Sequence, residues 1–241
     1  MKMAELFRRR NEPGGGPTPP SGSGGVGFTG GYDLHEVYYE RTLITFDCSS
    51  SMLAAMLGSG AAHTRLDAAK VAGRGFVEKK IQKFMHDPER FQGEIGVIAF
   101  AENVKGYVPL KHYEDCERAV LPFLDSLEAD GTTAFCEPQE LAERLFRAGR
   151  TDDPDVLDHI IFLTDGDHNG PGDPELVARR LKETGLVVID TIGIGQTETD
   201  VNRELLEAMA STIDGNLRYR FISDAGDLID HFFTLAGTLS G

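Results

Sequence analysis

The sequence is short of positive charge. Its 241 residues hold 24 Lys and Arg against 39 Asp and Glu, a formal net charge of −15. The pI is about 4.8. A protein that coats nucleic acid or an anionic membrane by bulk attraction needs a basic face, so this balance excludes that class. The few cations are unevenly spread. Lys2, Arg8, Arg9 and Arg10 stand near the start against Glu5 and Glu12, so the rest of the chain is the more acidic part.

Cysteine is also scarce. The three residues Cys48, Cys116 and Cys136 show no paired spacing. That excludes a disulfide framework and a zinc pattern. No stretch reaches the roughly 18 uninterrupted apolar residues of a membrane span. The start, MKMAELFRRR, lacks the apolar stretch of a secretory signal. These absences predict a cytoplasmic protein of a reducing compartment, with no transmembrane segment.

What is present is ordinary globular material. Hydrophobic residues make up 40% and charged residues 26%, so most of the chain is expected to fold, as one domain with an appendage. Residues 11–31, NEPGGGPTPPSGSGGVGFTGG, cannot bury enough apolar surface to order themselves. The boundaries follow: residues 1–35 are a flexible tail, basic and then Gly/Pro-rich, and residues 36–241 are a single domain.

Within that domain, strand and helix patterns alternate. ERTLITFD (40–47) is a short β-branched run ending in Asp, and 65–85 places apolar residues at helical spacing. Residues 94–110 read as two strands joined around Ala101–Asn103, a connection that permits only an antiparallel pair. Helices follow from about Glu114, with Pro122 near a break, and from about Pro138. Residues 156–165 are a buried strand, PELVARRLKETG a helix closed by Gly185, and LVVIDTIGIG another buried strand. VNRELLEAMAST is a helix, LRYRFI a last strand, and a last helix starts near Ala225. The predicted fold class is α/β: a doubly wound, mostly parallel six-stranded sheet with one antiparallel edge strand and helices on both faces.

Ligands of such sheets bind beyond the carboxyl ends of the strands. The first strand ends in Asp47-Cys48-Ser49-Ser50-Ser51, the fourth in Thr164-Asp165-Gly166, and Asp130-Gly131-Thr132-Thr133 forms a loop between them. Two carboxylates and several hydroxyls thus converge from three loops. Such hard oxygen donors suit Mg²⁺, with Mn²⁺ possible, and not zinc or copper. Gly193-Ile194-Gly195 lacks the third glycine of a dinucleotide fingerprint, so no nucleotide cofactor is expected. Cys48 and Cys136 next to the loops read as packing residues.

The order Asp-x-Ser-x-Ser, Gly-Thr, Thr-Asp-Gly resembles the von Willebrand factor A (VWA) domain and its metal-ion-dependent adhesion site (MIDAS), as in stand-alone intracellular bacterial-type members. The resemblance covers roughly residues 40–240. It implies metal ligation by Asp47, Ser49, Ser51, Thr132 and Asp165, the serines and threonine through hydroxyls and the aspartates directly or through water. Thr132 directly follows Gly131, and Thr133 is the alternative. The family often has Gly where this chain has Ser50, and a second Gly where it has Asp130.

The resemblance further implies a metal-dependent protein–protein binding module, an adaptor or assembly factor and not an enzyme. Its metal grips an Asp or Glu of a partner protein; an ATPase, kinase or stress-response protein is the expected kind. Two alternatives stand beside it. One is a Mg²⁺-dependent phosphatase or hydrolase, disfavoured because position 49 is Ser where a general acid would stand. The other is a scaffold with a degenerate metal site.

Overall fold

A computed structural model describes residues 39–58, 64–149, 156–183 and 187–238. The predicted tail, 1–35, and the predicted helix-closing Gly185 lie outside the described residues.

Strand β1 (Tyr39–Asp47) leads through a 3-10 turn (Ser50–Leu53) to α1 (Arg65–His86). A hairpin of β2 (Gln92–Phe100) and β3 (Val104–His112) follows, then α2 (Tyr113–Asp125) and α3 (Cys136–Ala148). The chain continues through β4 (Val156–Thr164), α4 (Pro174–Glu183), β5 (Val187–Ile194) and α5 (Arg203–Met209). A small β6–β7 hairpin (Thr212–Ile213, Asn216–Leu217), β8 (Tyr219–Ile222) and α6 (Ala225–Thr238) complete it.

The main sheet has six strands in the order β3-β2-β1-β4-β5-β8. Only the β2–β3 pair is antiparallel; its hydrogen bonding matches the predicted edge hairpin. β1 pairs with β2 on one side and β4 on the other. The connections therefore diverge at β1, which makes its carboxyl end the topological switch point.

Alternation along each strand divides the core. Ile44, Phe46, Ile161, Leu163 and Ile192 face α1, α2 and α6 in one cluster. Leu43, Phe100, Ile160 and Phe162 join Phe146, Val177 and Leu206 of α3, α4 and α5 in the other. Gly73 lets α1 approach the sheet: a Cβ there would stand 2.5 Å from Phe46 Cζ.

Two boundaries differ from the sequence expectation. The helix expected over 201–212 ends at Met209. The residues after it form the extra hairpin, and Asp214 (φ 51°) and Gly215 (φ 79°) make its turn. Asp-Gly is the pair that tolerates two left-handed residues in a two-residue hairpin. Leu217 therefore belongs to this hairpin, and the last strand of the sheet begins at Tyr219. Pro122 lies in the last turn of α2, which stops at Asp125, so the proline sits near the helix end as its chemistry requires.

Candidate functional site

β1 delivers Asp47 to the switch point with its side chain fully buried. One carboxylate oxygen accepts from the Ser49 backbone N–H at 2.8 Å, which turns the chain sharply after the strand. The other accepts from the Thr164 hydroxyl, at the end of β4, at 2.6 Å. Burial pushes the Asp47 carboxyl up to about 6, against the hydrogen bonds of Thr164 and Ser49.

The turn that follows presents the serines. Ser49 Oγ lies 3.0 Å from Ser51 Oγ, and the Ser51 hydroxyl donates to Asp165 Oδ1 at 2.6 Å. Asp47, Ser49, Ser51 and Asp165 thus form one continuous polar cluster. Met52 is buried beneath it and holds the 3-10 turn down.

Main-chain hydrogen bonds stitch the three loops together. Ser50 N donates to Gly131 O at 2.9 Å, and Asp130 N donates to Cys48 O at 2.8 Å. Asn169 N donates to Thr133 O at 2.8 Å, and Phe135 N donates to His168 Nδ1 at 3.0 Å. His168 is therefore a latch between the aspartate and threonine loops, with its ring against Phe135. Gly131 (φ 89°) supplies the left-handed residue the threonine loop needs.

The two threonines are placed differently. Thr132 is exposed, whereas Thr133 is buried. Thr133 Oγ1 and Ser51 Oγ face the same space over Gly166, at 3.5 and 4.0 Å from where a Cβ on that glycine would stand. Ser50 causes no backbone strain: among the described residues, Asp214 is the one non-glycine with positive φ.

One contributor is missing from the sequence reading. Arg65, at the first position of α1, donates from Nη1 to Asp165 Oδ2 at 2.8 Å and from Nη2 to Asp200 Oδ2 at 3.0 Å. A cation in the first turn opposes the helix dipole. That mismatch is the one local signal for a specific acidic partner. The partners themselves, 100 and 135 positions away, leave no local trace.

The neighbouring thiols are not poised to react. Burial pushes Cys48 up to about 12, and burial also raises Cys136. Beside the threonine loop lies a cleft of about 510 Å³. Glu102, Glu137, Glu140 and Asp173 line it, and its one cation, Arg180, pairs with Glu143. Among the described residues, no three His, Cys, Asp or Glu side chains gather into a metal cage. Any ion here would rest on two carboxylates and hydroxyls.

A doubly wound α/β domain with an oxygen-lined crevice at its switch point is the class of protein this geometry defines. The chain belongs to the von Willebrand factor type A domain family, whose model matches residues 44–233. Solved structures agree on the fold. A von Willebrand factor type A protein from Catenulispora acidiphila superposes with TM-score 0.57 at 22% identity, over 84% of this chain and 42% of that one. The vWF domain of the type V pilus tip protein Mfa5 from Porphyromonas gingivalis gives 0.65 at 14%, over 84% and 95%. Proximal thread matrix protein 1 from the mussel byssus, solved with a zinc-occupied MIDAS motif, gives 0.59 at 20%, over 84% and 46%. This chain thus spans less than half of the Catenulispora and byssus proteins. A comparison with curated proteins finds no match. No described helix is long and apolar enough to cross a membrane.

Proposed function

We propose that the domain is a metal-dependent protein-binding module. Ser49, Ser51 and Thr133 would hold a hard divalent cation through their hydroxyls, with Asp47 and Asp165 compensating its charge. Thr133 takes the threonine role in this reading because it is the buried one of the pair and its hydroxyl shares the space over Gly166 with that of Ser51.

The observation that carries the proposal is the serine pair. Ser49 Oγ and Ser51 Oγ stand 3.0 Å apart. The two hydroxyls bond to each other and, through Ser51, to Asp165, so hard oxygen donors from two loops already meet at one point. That all-oxygen donor set favours Mg²⁺ or Mn²⁺, although the byssus protein carries zinc.

The bound cation would act as a Lewis acid toward an outside oxygen anion. The chain's own residues do the rest. Neutral hydroxyls bind without cancelling positive charge, so the site stays able to attract one more anion, an Asp or Glu of a partner protein. Ser51 would offer an oxygen lone pair while its proton stays hydrogen-bonded to Asp165, so the serine–aspartate link can hold the ligand oxygen in place. Asp47 keeps its two internal hydrogen bonds and orients the serine turn.

We read this as an adaptor or assembly role and not catalysis, with the hydroxyls and carboxylates spent on holding an ion. A cytoplasmic location, and a partner such as an ATPase, kinase or stress-response protein, remain parts of the proposal. The test is capture of partners on the immobilised protein in Mg²⁺ and in EDTA, with Asp47→Ala as control. Partners retained equally in EDTA would sink it. A phosphatase assay in Mg²⁺ whose turnover disappears in Asp47→Asn would favour the enzymatic alternative.

A further inference from the structure

Arg65 is an expensive residue to keep where it is. It is 8% exposed, and its Nε proton has no acceptor. A buried donor left unpaired is destabilising, and a buried ion pair rarely repays its desolvation. Its place in the first turn of α1 adds an unfavourable dipole interaction. Three costs at one residue argue against a purely stabilising role.

Its contacts suggest what it does. With Ser51 on Oδ1 and Arg65 on Oδ2, both oxygens of Asp165 are already engaged. The Asp165 side chain is fully buried. A fixed positive charge thus stands against one of the two carboxylates that a cation would need.

We infer that Arg65 is an internal competitor of the cation: it neutralises Asp165 in the free domain and holds metal affinity down. The inference rests on the metal-site reading above. Asp200 tunes the competition. It draws the guanidinium from the other side while being fixed by the Gln196 N–H at 2.7 Å and the Thr197 hydroxyl at 3.0 Å. A site built this way is held weakly by the cation alone and more strongly when a partner carboxylate arrives, because Arg65 repels the first charge and attracts the second.

The test is Mg²⁺ titration by calorimetry on the full chain, with folding checked by circular dichroism. Arg65→Gln is expected to bind Mg²⁺ at least tenfold more tightly, about 1.4 kcal/mol. Arg65→Lys, which keeps the charge, is expected to stay within about threefold of the wild type. Asp200→Asn, which removes a carboxylate from the far side of the guanidinium, is expected to weaken binding several-fold and gives the answer if Arg65→Gln does not fold. Binding by Arg65→Gln alone, with none by the wild type, would also support the inference. Equal or weaker binding in a folded Arg65→Gln overturns it and leaves the metal site standing. Absence of binding in every folded variant removes the metal-site reading, and the inference with it.

Discussion

The sheet carries two buried polar clusters built from similar residue types. On its α1 face, near the amino ends of the strands, Lys80 Nζ donates to Glu40 at 2.5 Å, and Glu40 accepts from Thr42 at 2.6 Å. His159 bridges Glu40 at 3.4 Å and Asp190 at 2.7 Å, and Arg218 donates to Asp190 from two nitrogens. Signs alternate along this chain. At the carboxyl end of the sheet, Asp47, Ser49, Ser51, Asp165 and Arg65 are rich in hydroxyls and leave Arg65 Nε without a partner. The first cluster is closed and the second is open. A closed network locks strand register and helix docking. An open one keeps its free energy for something that binds.

Breaking the closed network should produce the largest effect. Lys80→Met leaves Glu40 buried with His159 as its remaining charged partner. The expected loss is about 3–5 kcal/mol, read from urea denaturation. Ser51→Ala, in the open cluster, removes a single hydrogen-bonding hydroxyl and should cost about 1 kcal/mol or less. Equal losses in the two variants would erase the distinction.

Metal addition should sort the clusters the other way. At a concentration a hundred times its dissociation constant, Mg²⁺ should stabilise the wild type by about 2.7 kcal/mol. Lys80→Met, if folded, should gain as much, whereas Ser51→Ala and Asp47→Ala should gain little or nothing. Thermal denaturation with Mg²⁺ and with EDTA reads this directly. A full gain in Asp47→Ala would move the metal elsewhere.

The closed network should also govern pH dependence. Burial opposes the charge on His159, but Asp190 and Glu40 outweigh it and raise its pKa. Burial likewise opposes ionisation of Glu40 and Asp190. Lys80 and His159 outweigh it for Glu40, and His159 and Arg218 for Asp190, so both carboxyls sit below the usual range. A raised histidine contributes stability below its unfolded pKa of about 6.5 and loses it as pH rises through the higher folded value. Depressed carboxylates contribute above about 4 and lose it on acidification. Stability should therefore fall on both sides of a mildly acidic to neutral plateau. His159→Gln should flatten the alkaline limb, and an unchanged limb would assign that titration to another group.

The open cluster was more legible than the closed one. Its aspartates and serines fall in short motifs at strand ends, where chain direction alone brings them together. The mostly parallel sheet with its antiparallel edge strand followed from the alternation of strands and helices and the tight turn near Ala101–Asn103. Glu40, His159 and Asp190 lie inside strands that read as apolar, and pairing across the sheet leaves no periodic mark. Arg65 was hidden because its partners, Asp165 and Asp200, lie 100 and 135 positions away in other loops. Thr132 and Thr133 differ by one residue, and only the observed burial separates them. The β6–β7 hairpin did leave a signal, Asp214-Gly215, which the helical spacing before it masked.

The smallest effect concerns Ser50, where the family often has glycine. The serine stands in the turn between Ser49 and Ser51, exposed, with φ outside the left-handed region. Its backbone N–H donates to Gly131 O, a bond glycine would keep. Ser50→Gly therefore removes no contact the site uses and relieves no strain. It only widens the conformations open to the unfolded chain, a cost of about 0.4–1 kcal/mol. Mg²⁺ affinity should stay within about twofold of the wild type by calorimetry. A gain of tenfold or more would mean that the serine holds the turn away from its binding geometry, and that part of the weak affinity assigned to Arg65 belongs to Ser50.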